Sequence, residues 1–208
     1  MTVHLWTLRH TDDGFQAHSR RLRVRHLQGV QSLAYRSIDN TLLSCGGSSI
    51  YSTDISVDQQ TKPVKVTDGR LLQIHVHPQN PQVVVLEADQ IENQVLVYDT
   101  RKGGFRHQPT LQFGHRSNPN AEHNTRFLKG STLNSFFARP YNENDKGVVR
   151  VWDYRKATAV VACFKEEHSA PVVHAVLSGS DLLAYGGSSV TIWKTRSGPG
   201  QTSRDSPL

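Results

Sequence analysis

The sequence predicts an all-β fold assembled from repeated antiparallel four-stranded units, and three observations carry that expectation. Residues 148–155 read VVRVWDYR, with Val149, Val151 and Asp153 on one side of a strand and Arg150, Trp152 and Tyr154 on the other; the polar run 144–147 ahead of them ends in Gly147 and reads as a hairpin turn. Similar strands recur at 3–8, 49–55, 94–101 and 189–196, and the residues equivalent to Asp153 (Thr7, Asp54, Asp99 and Lys194) space the series at 47, 45, 54 and 41 residues. A second repeat runs in phase with the first: LLSCGGSS at 42–49 returns as LLAYGGSS at 182–189, an offset of 140 residues, or three such periods.

A period of about 40–45 residues, four strands per unit and a Trp-Asp pair closing the third strand are the marks of a propeller repeat. Trp152-Asp153 is intact, and Gly114-His115 is an intact Gly-His ahead of the same unit. On these residues the chain resembles WD40-repeat β-propellers over about 3–196. The resemblance implies an all-β, WD40-type β-propeller with four recognisable blades plus a leading strand. A ring of seven such units needs about 300 residues, and the chain has 208. It starts at a third strand, so it reads as an incomplete ring, the C-terminal part of a longer propeller with upstream blades missing. A four-blade ring, with 20–27 as the outer strand of the last blade, is the alternative; it leaves 3–8 without a place.

Taken in order, residues 1–27 form a partial blade: the leading strand, a loop over 10–18, and an outer strand over 20–27 in which Arg21, Arg23 and Arg25 alternate with Leu22 and Val24. That strip is either a solvated outer strand whose charges discourage edge pairing or a contact strip for an acidic partner or a phosphate backbone. Blade two spans 30–66 and blade three 71–113. His75 and His77 form an H-x-H pair on one side of a strand, a spacing open to metal, with no third ligand at fixed spacing. Blade four, about 124–164, carries two long polar segments, 114–124 and 139–146, which the propeller topology brings to one face. Arg116, His123, Arg139 and Tyr141 are their candidate partner-binding residues. Blade five spans 172–196, and the Ser/Gly/Pro-rich 197–208 is expected to be a disordered tail.

Composition excludes several classes. Mean hydropathy is −0.51 and the longest apolar runs are four or five residues, so no segment has the length of a membrane span. The start, MTVHLWTLRH, lacks the apolar core of a signal peptide, so an intracellular protein is expected, in cytoplasm or nucleus. Cys45 and Cys163 sit in predicted strands and read as small buried hydrophobes. The net charge of +6 leaves nucleic acid open as a partner. There is no G-x-S-x-G, no Walker-type glycine loop and no H-E-x-x-H, and Glu166-Glu167-His168 falls in a turn after an outer strand. Neither an enzyme nor a cofactor is expected.

What the resemblance implies about residues comes in two parts. In blade four, Trp152, Ser135 and His115 are the closest matches to the family's buried structural network, with Asp145 as a fourth; blades two and five should lack the full set. Asp99-Thr100-Arg101 and Asp153-Tyr154-Arg155 end consecutive third strands, and these boxes resemble those of WD-repeat substrate receptors of cullin-4 ubiquitin ligases. Arg101 and Arg155 would then face a ligase adaptor. The other reading is that each Asp-Arg pair steadies its turn. The expected function is a non-enzymatic protein-interaction scaffold, with the ligase receptor and a nucleic-acid or chromatin-associated propeller as alternatives.

Overall fold

The computed structural model describes residues 2–12, 14–115, 127–143, 146–156, 159–166, 171–187 and 189–194. The chain opens with a hairpin, β1 (Val3–Thr11) and β2 (Gly14–Leu22), in register from Val3 opposite Leu22 to Thr11 opposite Gly14. The segment expected as a loop over 10–18 is therefore mostly strand, and the outer strand is Gly14–Leu22 rather than 20–27. The hairpin turn is short enough that both strands pair to their ends. The alternation beyond it holds: Leu22 and Val24 are buried, and Arg21, Arg23 and Arg25 are exposed.

Four antiparallel sheets follow. The second blade comprises β3 (Ser32–Arg36), β4 (Thr41–Gly46) and β5 (Ser49–Asp54), with an outer strand split into β6 (Gln59–Gln60) and β7 (Val64–Lys65), both paired to β5. Pro63, which has no N–H for a ladder, lies in the split. The third blade comprises β8 (Arg70–Val76), β9 (Val83–Asp89), β10 (Glu92–Asp99) and β11 (Leu111–His115). The fourth comprises β12 (Ser131–Leu133), β13 (Phe136–Glu143), β14 (Lys146–Asp153) and β15 (Val160–Lys165). The fifth has three described strands, β16 (His174–Ser178), β17 (Asp181–Gly186) and β18 (Ser189–Lys194). Each full blade is an up-and-down meander in chain order.

The strand alternation supplies two interfaces at once. In β9, Val84, Leu86 and Ala88 join Leu43, Cys45 and Ile50 of the second blade, while Val85 faces Phe137 and Trp152 of the fourth. In β14, Val148 and Trp152 face the third blade, and Val149 and Val151 face Val172, Ala175 and Leu182 of the fifth. Sheets buried on both faces stack this way, and burying apolar area on both sides is what holds the arc together. Serine hydroxyls stitch inner strands across two of the interfaces: Ile74 N donates to Ser32 Oγ at 3.2 Å and Leu177 N to Ser131 Oγ at 2.7 Å.

The open end of the β1–β2 hairpin packs Val3, Leu22 and Val24 on Leu42 and Ile55. Past it the chain lies along the second blade, where Arg23 N donates to Asp58 Oδ1 at 2.9 Å and Arg25 N to Gln60 Oε1 at 3.0 Å. Residues 20–27 therefore do not complete the fifth blade. Among the described residues no strand pairs with the outer edge of β18.

The Gly-Gly repeats have one physical reason in both places. A Cβ on Gly46 would lie 2.1 Å from Gly29 O, and one on Gly186 only 1.7 Å from Pro171 O, so the chain entering the inner strand crosses directly over these glycines. The following Gly47 and Gly187 take φ of +59° and +60°, the first corner of a two-residue hairpin turn.

Candidate functional site

The Asp-x-Arg turns are built alike. Asp99 and Asp153 end β10 and β14, and a single 3₁₀ turn follows each, Thr100–Lys102 and Tyr154–Lys156. Arg101 N donates to Asp99 Oδ1 at 3.1 Å, and the side chain returns through Nε to Oδ1 at 2.8 Å and Nη2 to Oδ2 at 2.7 Å. In the next blade, Arg155 N reaches Asp153 Oδ1 at 2.9 Å, Nε both oxygens at 3.0 Å, and Nη2 Oδ2 at 2.6 Å. The hydrogen bonds from the arginines bring both carboxyls down to about 2. The Asp side chains are largely covered, while Arg101 and Arg155 remain 62% and 72% exposed. Third strands of successive blades run the same way, so both turns emerge at one rim.

The second blade supplies an internal comparison. Asp54 ends β5, and Ser56 N donates to Asp54 Oδ1 at 2.8 Å. The carboxylate thus closes the same backbone turn with serine in the arginine's place. The backbone bond of the preceding residue repeats as well: Ile55 N to Asn40 O, Thr100 N to Gln82 O and Tyr154 N to Ser135 O, at 2.7–3.1 Å. An aspartate and two amides make the turn; the guanidinium is an addition. Each fork, held through Nε and one face of Nη2, keeps Nη1 and the remaining Nη2 proton for other acceptors.

No protein-family model and no curated protein matches the chain. Among solved structures it is similar to U3-55K, a WD40 β-propeller protein, with a TM-score of 0.63 and 14% sequence identity over 84% of this chain and 51% of that one. The fold is a WD40-type propeller with an incomplete ring. The chain spans about half the length of that structure.

Within the propeller, several expected residues fall elsewhere than the sequence placed them. Arg116, His123 and Asp145 lie outside the described residues. Arg139 and Tyr141 are not in a loop: β13 continues through them to Glu143, and both side chains are buried between the third and fourth blades. Alternation explains it, since Phe137, Arg139 and Tyr141 share the face that packs on the third blade. His115 ends β11 and is exposed, contributing its carbonyl to Arg150 Nη1 at 3.1 Å. Ser135 sits in the turn between β12 and β13, at the opposite end of the blade, where its carbonyl accepts the Tyr154 amide at 2.7 Å. His115, Ser135 and Trp152 therefore form no common network. Trp152 is buried against Phe113, with ring centroids 5.3 Å apart.

The His–Ser half of such a network appears in the second blade instead. His26 Nε2 lies 2.9 Å from Ser44 Oγ, and its ring is 4.0 Å from that of Tyr51; burial lowers its pKa. Of the two free cysteines, Cys45 is buried, which raises its thiol to about 12, whereas Cys163 is exposed on the outer strand β15.

The polar centre between the third and fourth blades escaped the sequence reading. Arg139 Nε donates to Glu87 Oε2 at 2.9 Å and Nη1 to Gln94 Oε1 at 2.8 Å; Gly130 N and His75 Nε2 reach Glu87 Oε1 at 2.8 and 2.7 Å. Burial alone would raise the Glu87 carboxyl. The His75 hydrogen bond, the charges of His75 and Arg139 and the Gly130 amide outweigh it and lower the carboxyl instead. Two guanidiniums approach the Tyr141 ring, with the Arg139 and Arg150 guanidinium carbons 4.9 and 4.8 Å from its centroid. The H-x-H pair belongs here too. Both imidazoles reach the fourth blade, His75 edge-on to Phe137 and His77 Nε2 to Asn134 O at 2.5 Å, while His77 Nδ1 accepts the Gln79 and Asn80 amides. One signal was readable: a lone Glu in VVVLEAD and a lone Arg in FFARPY occupy second strands of adjacent blades.

Proposed function

We propose that this chain is a non-enzymatic interaction scaffold whose docking edge is the rim carrying Arg101 and Arg155. The observation behind the reading is the pair of exposed, carboxylate-held forks on consecutive blades, set against Asp54-Ile55-Ser56, which closes the same turn without one. A guanidinium fixed by two bonds to its own aspartate loses little rotamer freedom on meeting a partner, and its free N–H groups suit carboxylates and backbone carbonyls. The fork also favours a narrower reading, a substrate receptor docking on the large propeller adaptor of a cullin-4 ubiquitin ligase.

The test is capture of purified adaptor by the chain and by Arg101→Ala/Arg155→Ala. Loss of capture by a variant that keeps one cooperative unfolding transition supports the receptor reading. If the adaptor is never bound, but a partner crosslinked to the wild-type rim is lost from the variant, the scaffold reading stands without the ligase. Identical crosslinked partners for both proteins would overturn the rim as the docking edge.

A further inference from the structure

The β1–β2 hairpin is a surface of a different kind. Its open end is anchored on the second blade, but from Trp6 to Arg21 every described residue except Gly14 is exposed. Nine-residue strands make a ribbon of about 30 Å. A two-stranded ribbon covered on neither face is marginal in water, so its side chains point to what covers it. Register puts His4, Trp6, Leu8 and His10 opposite Arg21, Ser19, Ala17 and Phe15 on one face. Trp6 is 64% and Phe15 77% exposed, flanking the small Ala17 and Ser19.

Charge separates this face from a blade interface. The interfaces described are mainly aliphatic and aromatic, and Arg139, buried in one of them, is neutralised by Glu87. In sequence, residues 3–25 hold five arginines and three histidines against two aspartates, Asp12 and Asp13. Arg23 is paired with Asp58 and Arg20 reaches Ile55 O. The Arg9, Arg21 and Arg25 side chains carry no carboxylate partner among the described residues. Arg21 shares the Trp6–Phe15 face, Arg9 leaves the other face of β1, which in a ribbon two strands wide is itself an edge, and Arg25 lies just past β2; exposed aromatics with free arginines this close suit stacked bases and their phosphates.

We propose that the β1–β2 ribbon binds single-stranded nucleic acid, with Trp6 and Phe15 as stacking platforms and Arg9, Arg21 and Arg25 on the phosphates. The probe is a labelled oligo-deoxythymidine of roughly 15 nucleotides, within the site sizes of small single-strand binders, titrated by anisotropy into the full chain, with tryptophan emission read in parallel. Three phosphate contacts predict a log–log salt slope of about −2 between roughly 50 and 200 mM salt, and Arg9→Ala/Arg21→Ala should flatten it by about 1.4. Trp6→Ala/Phe15→Ala should weaken binding about tenfold or more and abolish the emission quench, which neither Trp152, buried, nor Trp193, packed on Phe164 at the fifth blade, supplies. Both pairs are exposed, so circular dichroism and the unfolding midpoint should not move.

Several results overturn the proposal. One is no binding at the lowest salt; another is binding that Trp6→Ala/Phe15→Ala leaves intact. A third is equal binding of a duplex without a quench. The last is a self-associated species that the aromatic variant dissolves while no oligonucleotide binds, which would assign the ribbon to a second copy of the chain.

Discussion

Arg139 of the fourth blade reaches Glu87 of the third across 2.9 Å, Nε to Oε2, and neither side chain retains any solvent exposure. This ion pair lies between the apolar side chains of the two blades, together with Gln94 and His75, and its geometry accounts for how it is tolerated. Glu87 collects three donors from two blades, and Arg139 gains Gln94 as a second acceptor. Buried charge is costly when uncompensated, so the pair makes one alignment of the two blades far better than its neighbours.

Removing one partner should be severe. Arg139→Met leaves a buried carboxylate and is expected to cost about 3–5 kcal/mol. Glu87→Met/Arg139→Met should fall short of the sum of the single changes by about 0.5–3 kcal/mol. Urea unfolding of the four proteins measures both quantities; strict additivity would mean the pair is not coupled in solution.

Acid should destabilise the fold in two steps. Burial lowers the pKa of His26, so its neutral form is favoured in the folded chain; its contribution is present above its unfolded value of about 6.5 and fades as pH falls below that. Asp99 and Asp153, held at about 2 by Arg101 and Arg155, contribute fully above the unfolded carboxylate range near 4 and lose that contribution between about pH 4 and 2. Glu87 acts in the same direction. Unfolding midpoints against pH should lose the upper step in His26→Ala and part of the lower one in Asp99→Asn/Asp153→Asn. A variant that keeps the wild-type profile would assign that step to other groups.

Gly46→Ala and Gly186→Ala should each cost about 1–3 kcal/mol, because a methyl group at either position meets a backbone carbonyl that has no room to retreat. Gly179→Ala is the control, with open space around it but φ of +58°; its cost should be only the left-handed penalty of about 1 kcal/mol. Thermal melts rank the three, and a Gly186→Ala protein as stable as wild type would show that the crossing at Pro171 can open.

The turn at Asp54 can be made to resemble its neighbours. Ser56→Arg should place a third guanidinium fork on the carboxylate that already accepts the residue 56 amide, with a small drop in the unfolding midpoint for the lost Asn40 Nδ2–Ser56 Oγ bond. Conversely, Asp153→Ala should loosen the turn itself, while Arg155→Ala leaves it closed through Tyr154 N and the remaining Asp153–amide bond. Amide hydrogen exchange at residue 155 tells these apart; equal protection in both variants would contradict the division of labour.

The sequence by itself determined the repeat. The 41–54-residue spacing of the third strands, the alternation that buries both blade faces and the paired Gly-Gly turns are local properties, written in period two and in the conformational needs of glycine, and the meanders follow them. The Asp-x-Arg turns were legible for the same reason, since the partners are two residues apart. Tertiary structure alone decided which polar residues meet across blades. Glu87 and Arg139 are 52 residues apart, and Arg139 looks from its neighbours Pro140 and Asn142 like part of a polar loop until β13 is seen to run on to Glu143. The same holds for His26 finding Ser44, and for a leading strand that turns out to be half of a projecting ribbon. Strand patterns state which side of a sheet a residue takes; only the stacking of one sheet on the next states what waits there.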